Sequence, residues 1–329
     1  MILLTAAVLA CNSFWSCAQE FEFSGKRKRH AISFNLIRNL VIIPVYINGK
    51  GPFNFILDTG VGPMIVTDTL ITKEIDKKRQ RPIKITGLGK GPEIDALLSN
   101  EVFATVGKAD ISYIPTAILK EDLLGLSNFV GTKISGLLGY YFFKSFIVKI
   151  NYSTKRLIFY THDHHRKIKG ERVALEIINN KPYTTIGLEL PELGLIRAKV
   201  VLDNGASHAL SLETLNGRTF PVPDDAIKAN LGIGLSGPIS GSLARTASMK
   251  LGSFTFNGVI TSYPTYDDAA IKTYLLNRNG NLGADILTRF NITFNYADSA
   301  MFLSRNSSFS RRFEHDMSGI ELYVEDSNQ

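Results

Sequence analysis

Short apolar runs rich in β-branched residues, bounded by glycines and polar turns, recur along the chain. Val41-Ile42-Ile43-Pro44-Val45-Tyr46-Ile47 and Phe146-Ile147-Val148-Lys149-Ile150 are two of them, both of strand length. Helical periodicity is scarce, its best instances being Thr67 to Lys78, Gly139 to Lys144 and Ala284 to Arg289. The pattern predicts an all-β chain with a few short helices.

The pattern is also written twice. Phe53-Asn54-Phe55-Ile56-Leu57-Asp58-Thr59-Gly60, an apolar strand ending in an acidic turn, returns as Lys199-Val200-Val201-Leu202-Asp203-Asn204-Gly205. Gly136-Leu137-Leu138-Gly139 returns as Gly280-Asn281-Leu282-Gly283, and Asn151-Tyr152 as Asn295-Tyr296. Gly139 follows Asp58 by 81 positions and Gly283 follows Asp203 by 80, while Gly107 and Gly252 each follow their aspartate by 49. Four landmarks in register point to a duplicated unit. The expected architecture is two similar β-barrel lobes related by a pseudo-twofold axis, over residues 31–160 and 173–308. A connector over 161–172 joins them, and a tail follows over 309–329.

Composition narrows the class without naming it. Hydrophobic residues make up 44% of the 329 and charged residues 20%, which excludes a disordered chain, a collagen-like repeat and a polytopic membrane protein. Much of the net charge of +7 sits in Lys26 to His30 and Lys77 to Arg81. Neither cluster is interleaved with aromatics, so solvated edges are expected and nucleic acid is not.

Met1 to Ala10 is an apolar run of signal-peptide length, and Ser16-Cys17-Ala18 suits cleavage before Gln19, giving a leader over 1–18. A basic segment over 19–30 follows it. The alternative exit is lipidation of Cys11 after Val8-Leu9-Ala10. The expected location is exported, periplasmic or cell-envelope associated, with peripheral or lipid-anchored membrane association as the variant form. Both cysteines, Cys11 and Cys17, lie in this leader, so a chain cleaved after Ala18 has no thiol for disulfides, nucleophilic catalysis or zinc.

An aspartate at a strand end beside glycine is usually a turn. Two copies at matched offsets suggest that the turns meet. Gly60 and Gly205 allow close backbone approach, and Thr59 and Asn204 can hydrogen-bond across. Two carboxylates held side by side cannot both ionise and share a proton. One can then activate a water while the other protonates a carbonyl oxygen. That chemistry hydrolyses a peptide bond with no metal or other cofactor.

The turns Ile56 to Val61 and Val201 to Ser207 resemble those of bacterial retropepsin-like aspartyl proteases. Ile32-Ser33-Phe34 through Ile47-Asn48-Gly49, and Asp298 through Met317-Ser318-Gly319, resemble an exported branch of that family, many members of which continue into a PDZ domain. Phe313 to Leu322 is similar to the connector leading there. The resemblance implies a bilobal β fold, endopeptidase activity and Asp58 and Asp203 as the catalytic pair. Asn204 stands where Thr or Ser is usual, and Val61 and Ala206 where pepsin-like enzymes carry hydroxyls. Without those donors the pair should be less acidified, and activity is expected in mildly acidic solution.

Two glycine-rich stretches at matched offsets are candidate flaps. Gly87-Leu88-Gly89 and Gly232-Ile233-Gly234 could close over a substrate bound as an extended strand. With both aspartates in one chain, no homodimer is required. His162-Asp163-His164-His165 falls in the connector and is not expected to hold a metal. His208 is expected to pack beside its turn, and the sequon asparagines Asn151, Asn291 and Asn306 to be structural. The rival reading is a peptide-binding protein that kept the fold without turnover, motivated by Asn204 and the missing hydroxyls. A precursor regulated by the segment before Ala31 is a third.

Overall fold

The structure, a computed structural model, describes residues 19–314 except 74, 76–78, 86–88, 90, 92, 120–124, 164–166, 192, 235–236 and 266–277. It is largely β-sheet with a few short helices, as the apolar pattern predicts. The strands group into three sheets. One has nine strands and lies within residues 22–138; another has eight and lies within 176–283. Each of these closes on itself, the first through Ile94–Val106 pairing with Ala109–Leu119, the second through Lys181–Leu190 pairing with Gly237–Leu251.

The six-stranded third sheet was not foreseen. Its order is Glu171–Ala174, Ala300–Arg305, Phe290–Asn295, Ile147–Asn151, Arg156–Tyr160, Arg29–Ser33, so three strands come from each half. The two halves meet at its centre, where Val148 lies opposite Phe294 and Ile150 opposite Ile292. Below it Phe143 and Phe294 pack edge to face with centroids 5.3 Å apart. Residues 19–30, read above as a basic segment ahead of the fold, are stitched into it. Glu22–Phe23 pairs with Ala109–Leu119, and the buried Phe21 ring packs on Phe142. Arg29 and His30 belong to the third sheet, since an edge strand tolerates charge on its solvent side.

The repeated landmarks occupy equivalent places. Gly136–Leu138 runs parallel to Lys50–Leu57 and antiparallel to Met64–Val66. Gly280–Gly283 runs parallel to Gly194–Asp203 and antiparallel to Leu210–Leu212. A Cβ at Gly136 would stand 2.1 Å from the Ile65 carbonyl oxygen, and one at Gly280 2.0 Å from that of Ser211. Only glycine lets those backbones pass. Gly280→Ala is therefore expected to destabilise the chain by about 1–3 kcal/mol or more, read as a lower urea midpoint at unchanged slope.

The expected helix over Thr67 to Lys78 is present as Thr69–Thr72, with Asp68 accepting from the Leu70 amide at 2.9 Å; residues 76–78 lie outside the described residues. Tyr140–Ser145 and Ala284–Leu287 occupy the other two predicted helices, each starting just after the second Gly-x-Leu-Gly glycine. Leu126–Val130 is an additional short helix.

Candidate active site

Strands Lys50–Leu57 and Gly194–Asp203 run to the same place from opposite halves and end in turns that interlock. The Thr59 hydroxyl donates to the Leu202 carbonyl at 2.8 Å and accepts from the Asn204 amide at 3.1 Å. The Thr59 amide donates to Asn204 Oδ1 at 2.7 Å. Both side chains are fully buried. Three bonds in a dry environment fix the spacing of the turns. Asn204 thus fills the bridging role with its carbonyl oxygen, while its Nδ2 has no hydrogen-bond partner among the described residues.

This clasp brings the two aspartates together. A Cβ at Gly60 would stand 2.9 Å from Asp203 Cγ, and one at Gly205 2.2 Å from Asp58 Cγ. Each glycine is the cover of the opposite carboxylate, which is why neither can carry a side chain. The Gly60 amide donates to Asp58 Oδ1 at 2.6 Å, and the Gly205 amide to Asp203 Oδ1 at 3.0 Å. Burial holds the Asp58 carboxyl well above the usual carboxylate range, and the neighbouring Asp203 pushes it further. Such a pair can retain one proton between its members.

Other groups converge here that the sequence reading did not single out. Asn281 Nδ2 donates to Asp203 Oδ2 at 2.8 Å, and Asn281 Oδ1 meets His208 Nε2 at 3.2 Å. His208, expected to be packing, thus stands one residue removed from a carboxylate; burial lowers its basicity. Lys181 and Tyr296 also lie within electrostatic reach of Asp58. The Tyr152 and Tyr296 hydroxyls, one from each Asn-Tyr copy, are buried without partners among the described residues. Burial raises both phenols, and Asp58 presses further on Tyr296.

Each half also carries an ion pair at the same offsets. Asp68 and Glu213 lie 10 residues after their aspartates, and Lys133 and Arg278 lie 75 after. Lys133 reaches Asp68 at 3.0 Å, and Arg278 holds Glu213 through two bonds of 2.9 and 3.2 Å. The first pair is half in water, Lys133 being 61% exposed; the second is buried, at 7% and 0%.

Both candidate flaps belong to antiparallel hairpins. Arg81–Ile85 pairs with Ile94–Val106; Gly89 is described at its end, whereas Gly87 and Leu88 lie outside the described residues. Ile227–Gly234 pairs with Gly237–Leu251, with a bulge at Gly232 and the Ile233 side chain half exposed. A Cβ at Gly237 would stand 3.7 Å from the Gly91 amide nitrogen, so the two hairpins approach each other near their ends. Beside the Asp203 turn lies a cavity of about 410 Å³, lined among others by Asn39, Ser207, His208, Leu231, Ile260 and Arg311.

The remaining candidates have structural partners. His162 Nε2 lies 2.9 Å from the Lys144 carbonyl, and Lys28 pairs with Asp163 at 2.6 Å, holding that carboxyl down to about 2. His164 and His165 lie outside the described residues. Asn151, Asn291 and Asn306 bond to Thr154, Ser153 and Thr288 respectively.

Residues 43–142 match the aspartyl protease family. The match includes the first turn, Asp58 to Gly60, the first hairpin and the first Gly-x-Leu-Gly, and it supports a protease-like, hydrolytic function at the level of the family. It ends before Asp203. No curated protein matches the chain.

Proposed function

We propose that the chain is a single-chain aspartic endopeptidase whose Asp58 and Asp203 activate a water between them. The observation that carries this reading is the mutual capping of the carboxylates by Gly60 and Gly205, with burial raising Asp58. One carboxylate takes a proton from the water as its oxygen attacks the peptide carbon; the other protonates the carbonyl oxygen. The tetrahedral centre then collapses, the C–N bond breaks and the leaving nitrogen takes a proton. Thr59, Gly60, Asn204 and Gly205 hold the geometry.

In this reading the halves are two lobes about a pseudo-twofold axis, supported by the matched offsets of turns, Gly-x-Leu-Gly segments and ion pairs. The two hairpins, carrying Gly87 to Gly89 and Gly232 to Gly234, serve as flaps over a substrate held as an extended strand. The cavity beside Ser207 and His208 takes one of its side chains. One chain suffices, and the working location is the periplasm or cell envelope.

The test is digestion of a mixed peptide library by the purified chain between pH 3 and 8, with and without a statine-type inhibitor. Inhibitor-sensitive cutting in mildly acidic solution is the expected result. A folded chain that binds the inhibitor yet cuts nothing would favour the peptide-binding alternative.

A further inference from the structure

The surroundings of the two carboxylates are unequal although their turns are alike. Along Lys181–Leu190 and Gly194–Asp203 the register runs Thr184 opposite Val200 and Tyr183 opposite Val201; two residues on, Lys181 falls opposite Asp203. In the first half Ile42 is opposite Ile56, and two residues on, Leu40 falls opposite Asp58. Directly opposite residues of an antiparallel pair present their side chains to the same face. The turn before Lys181, Asn179-Asn180, is left-handed at both residues and seats Asn180 against Gly62, so the lysine is delivered to the site by a fixed hairpin.

The inequality is repeated twice. Asn281 occupies the slot that Leu137 fills in the first Gly-x-Leu-Gly, and His208, five residues after Asp203, stands where Pro63 follows Asp58. A carboxylate only accepts, so Asn281 must turn its Nδ2 to Asp203 and its Oδ1 to His208; His208 Nε2 must then carry a hydrogen. Both oxygens of Asp203 thereby receive donors, from Gly205 and Asn281. Asp58 receives one on Oδ1, from Gly60, leaving Oδ2 able to carry a hydrogen and offer it to Asp203.

We propose that this one-sided polar shell, Lys181 with the His208–Asn281 pair, keeps Asp203 as the carboxylate and the shared proton on Asp58. Given the peptidase reading on which it rests, Asp203 is the general base and Asp58 the general acid. Asp203 takes the proton of the attacking water while Asp58 gives its own to the carbonyl oxygen. On collapse Asp203 passes that proton to the leaving nitrogen, and Asp58 takes one back from a hydroxyl of the tetrahedral centre. The pair ends as it began. Lys181 and Asn281 are positioning residues, since they act through Asp203.

The charged and titratable groups facing the pair are Lys181, which acts on Asp203 first and on Asp58 second, Arg278 and Glu213 behind Lys181, His208 beside Asn281, and Tyr296 beside Asp58. Arg278 and Glu213 are held to each other in a buried bond and act on Lys181 with opposite sign, Arg278 the more strongly. The acidity of Lys181 is raised by burial before Arg278 adds to it, with Asp203 and then Asp58 opposing.

The test is carboxyl-carbon NMR of the whole chain labelled at aspartate, titrated from pH 2 to 9, with Asp58→Asn and Asp203→Asn assigning the two signals. In the wild type the signal that still carries the proton at mid-range should be that of Asp58. Lys181→Leu and Asn281→Leu, which copy the first half, should each raise the Asp203 midpoint by about one unit, and Lys181→Arg should restore it. A protonated mid-range signal belonging to Asp203, or a midpoint unmoved in both folded leucine variants, would overturn the inference. The readout is independent of turnover: a chain that titrates in this way but cuts no peptide keeps the inference and loses the proposed activity.

Discussion

Asp58→Asn should abolish peptide cleavage, by on the order of 10³-fold or more, and yet melt at a higher temperature than the wild type at neutral pH. The two effects share one cause. Asn keeps an acceptor for the Gly60 amide and nearly the shape of the acid, so the turn is preserved. What it removes is a buried ionisable group next to a second carboxylate. The Asp58 pKa is raised in the fold above an ordinary value of 3.8, by burial first and Asp203 second. Stability from the protonated group is therefore fully present below that value. It declines as pH rises and is gone once pH passes the folded-state value. Asparagine does not titrate, so the variant and wild type should melt together near pH 3 and separate as pH rises. At pH 7 a gain of about 1–2 °C would correspond to about 1 kcal/mol in a chain of this size. Scanning calorimetry across pH checks it; a gap that shrinks with rising pH would refute the assigned sign.

The second large effect lies in the ion pairs. Glu213→Ala strands the Arg278 guanidinium in a site where its side chain is 7% exposed, and should cost about 3–5 kcal/mol. Asp68→Ala, at the equivalent place in the first half, should cost only about 1 kcal/mol. Its partner Lys133 is in water, and what is chiefly lost is the cap on Leu70 and a bond from Ser135. The double change Glu213→Leu with Arg278→Met should restore most of the loss, because no uncompensated charge remains. Urea unfolding of the three proteins separates these outcomes.

The parts of the site that could be read from the chain are those that repeat. Asp58 and Asp203 stood out because each ends an apolar strand and each is counted off against a Gly-x-Leu-Gly. Thr59, Gly60 and Gly205 followed from the turn's own chemistry. Asn281 was legible too, as a polar residue in a slot its twin fills with Leu137, but the segment was read for its glycines. The ion pairs lay in plain offsets of 10 and 75 residues. They do not stand out as a pair, because a charge at a strand end usually reads as a solvated edge. Lys181 was not legible: its place opposite Asp203 depends on the register of a hairpin. The third sheet was hidden for a related reason. Alternation along a strand tells which face is buried, not which strand lies alongside, and Ile147–Asn151 and Phe290–Asn295 find each other across more than a hundred residues.

That sheet has a mechanical meaning. A backbone ladder running from one half into the other resists a clamshell motion, since opening the halves would mean tearing Val148 from Phe294 and Ile150 from Ile292. The floor of the cleft is riveted. Opposite it, in the proposed reading, two hairpins approach each other at Gly91 and Gly237, with room between them that only an added side chain at Gly237 would fill. If the chain works as proposed, a long substrate enters by parting those hairpins rather than by opening the halves, and whatever stiffens the hairpins acts as the door.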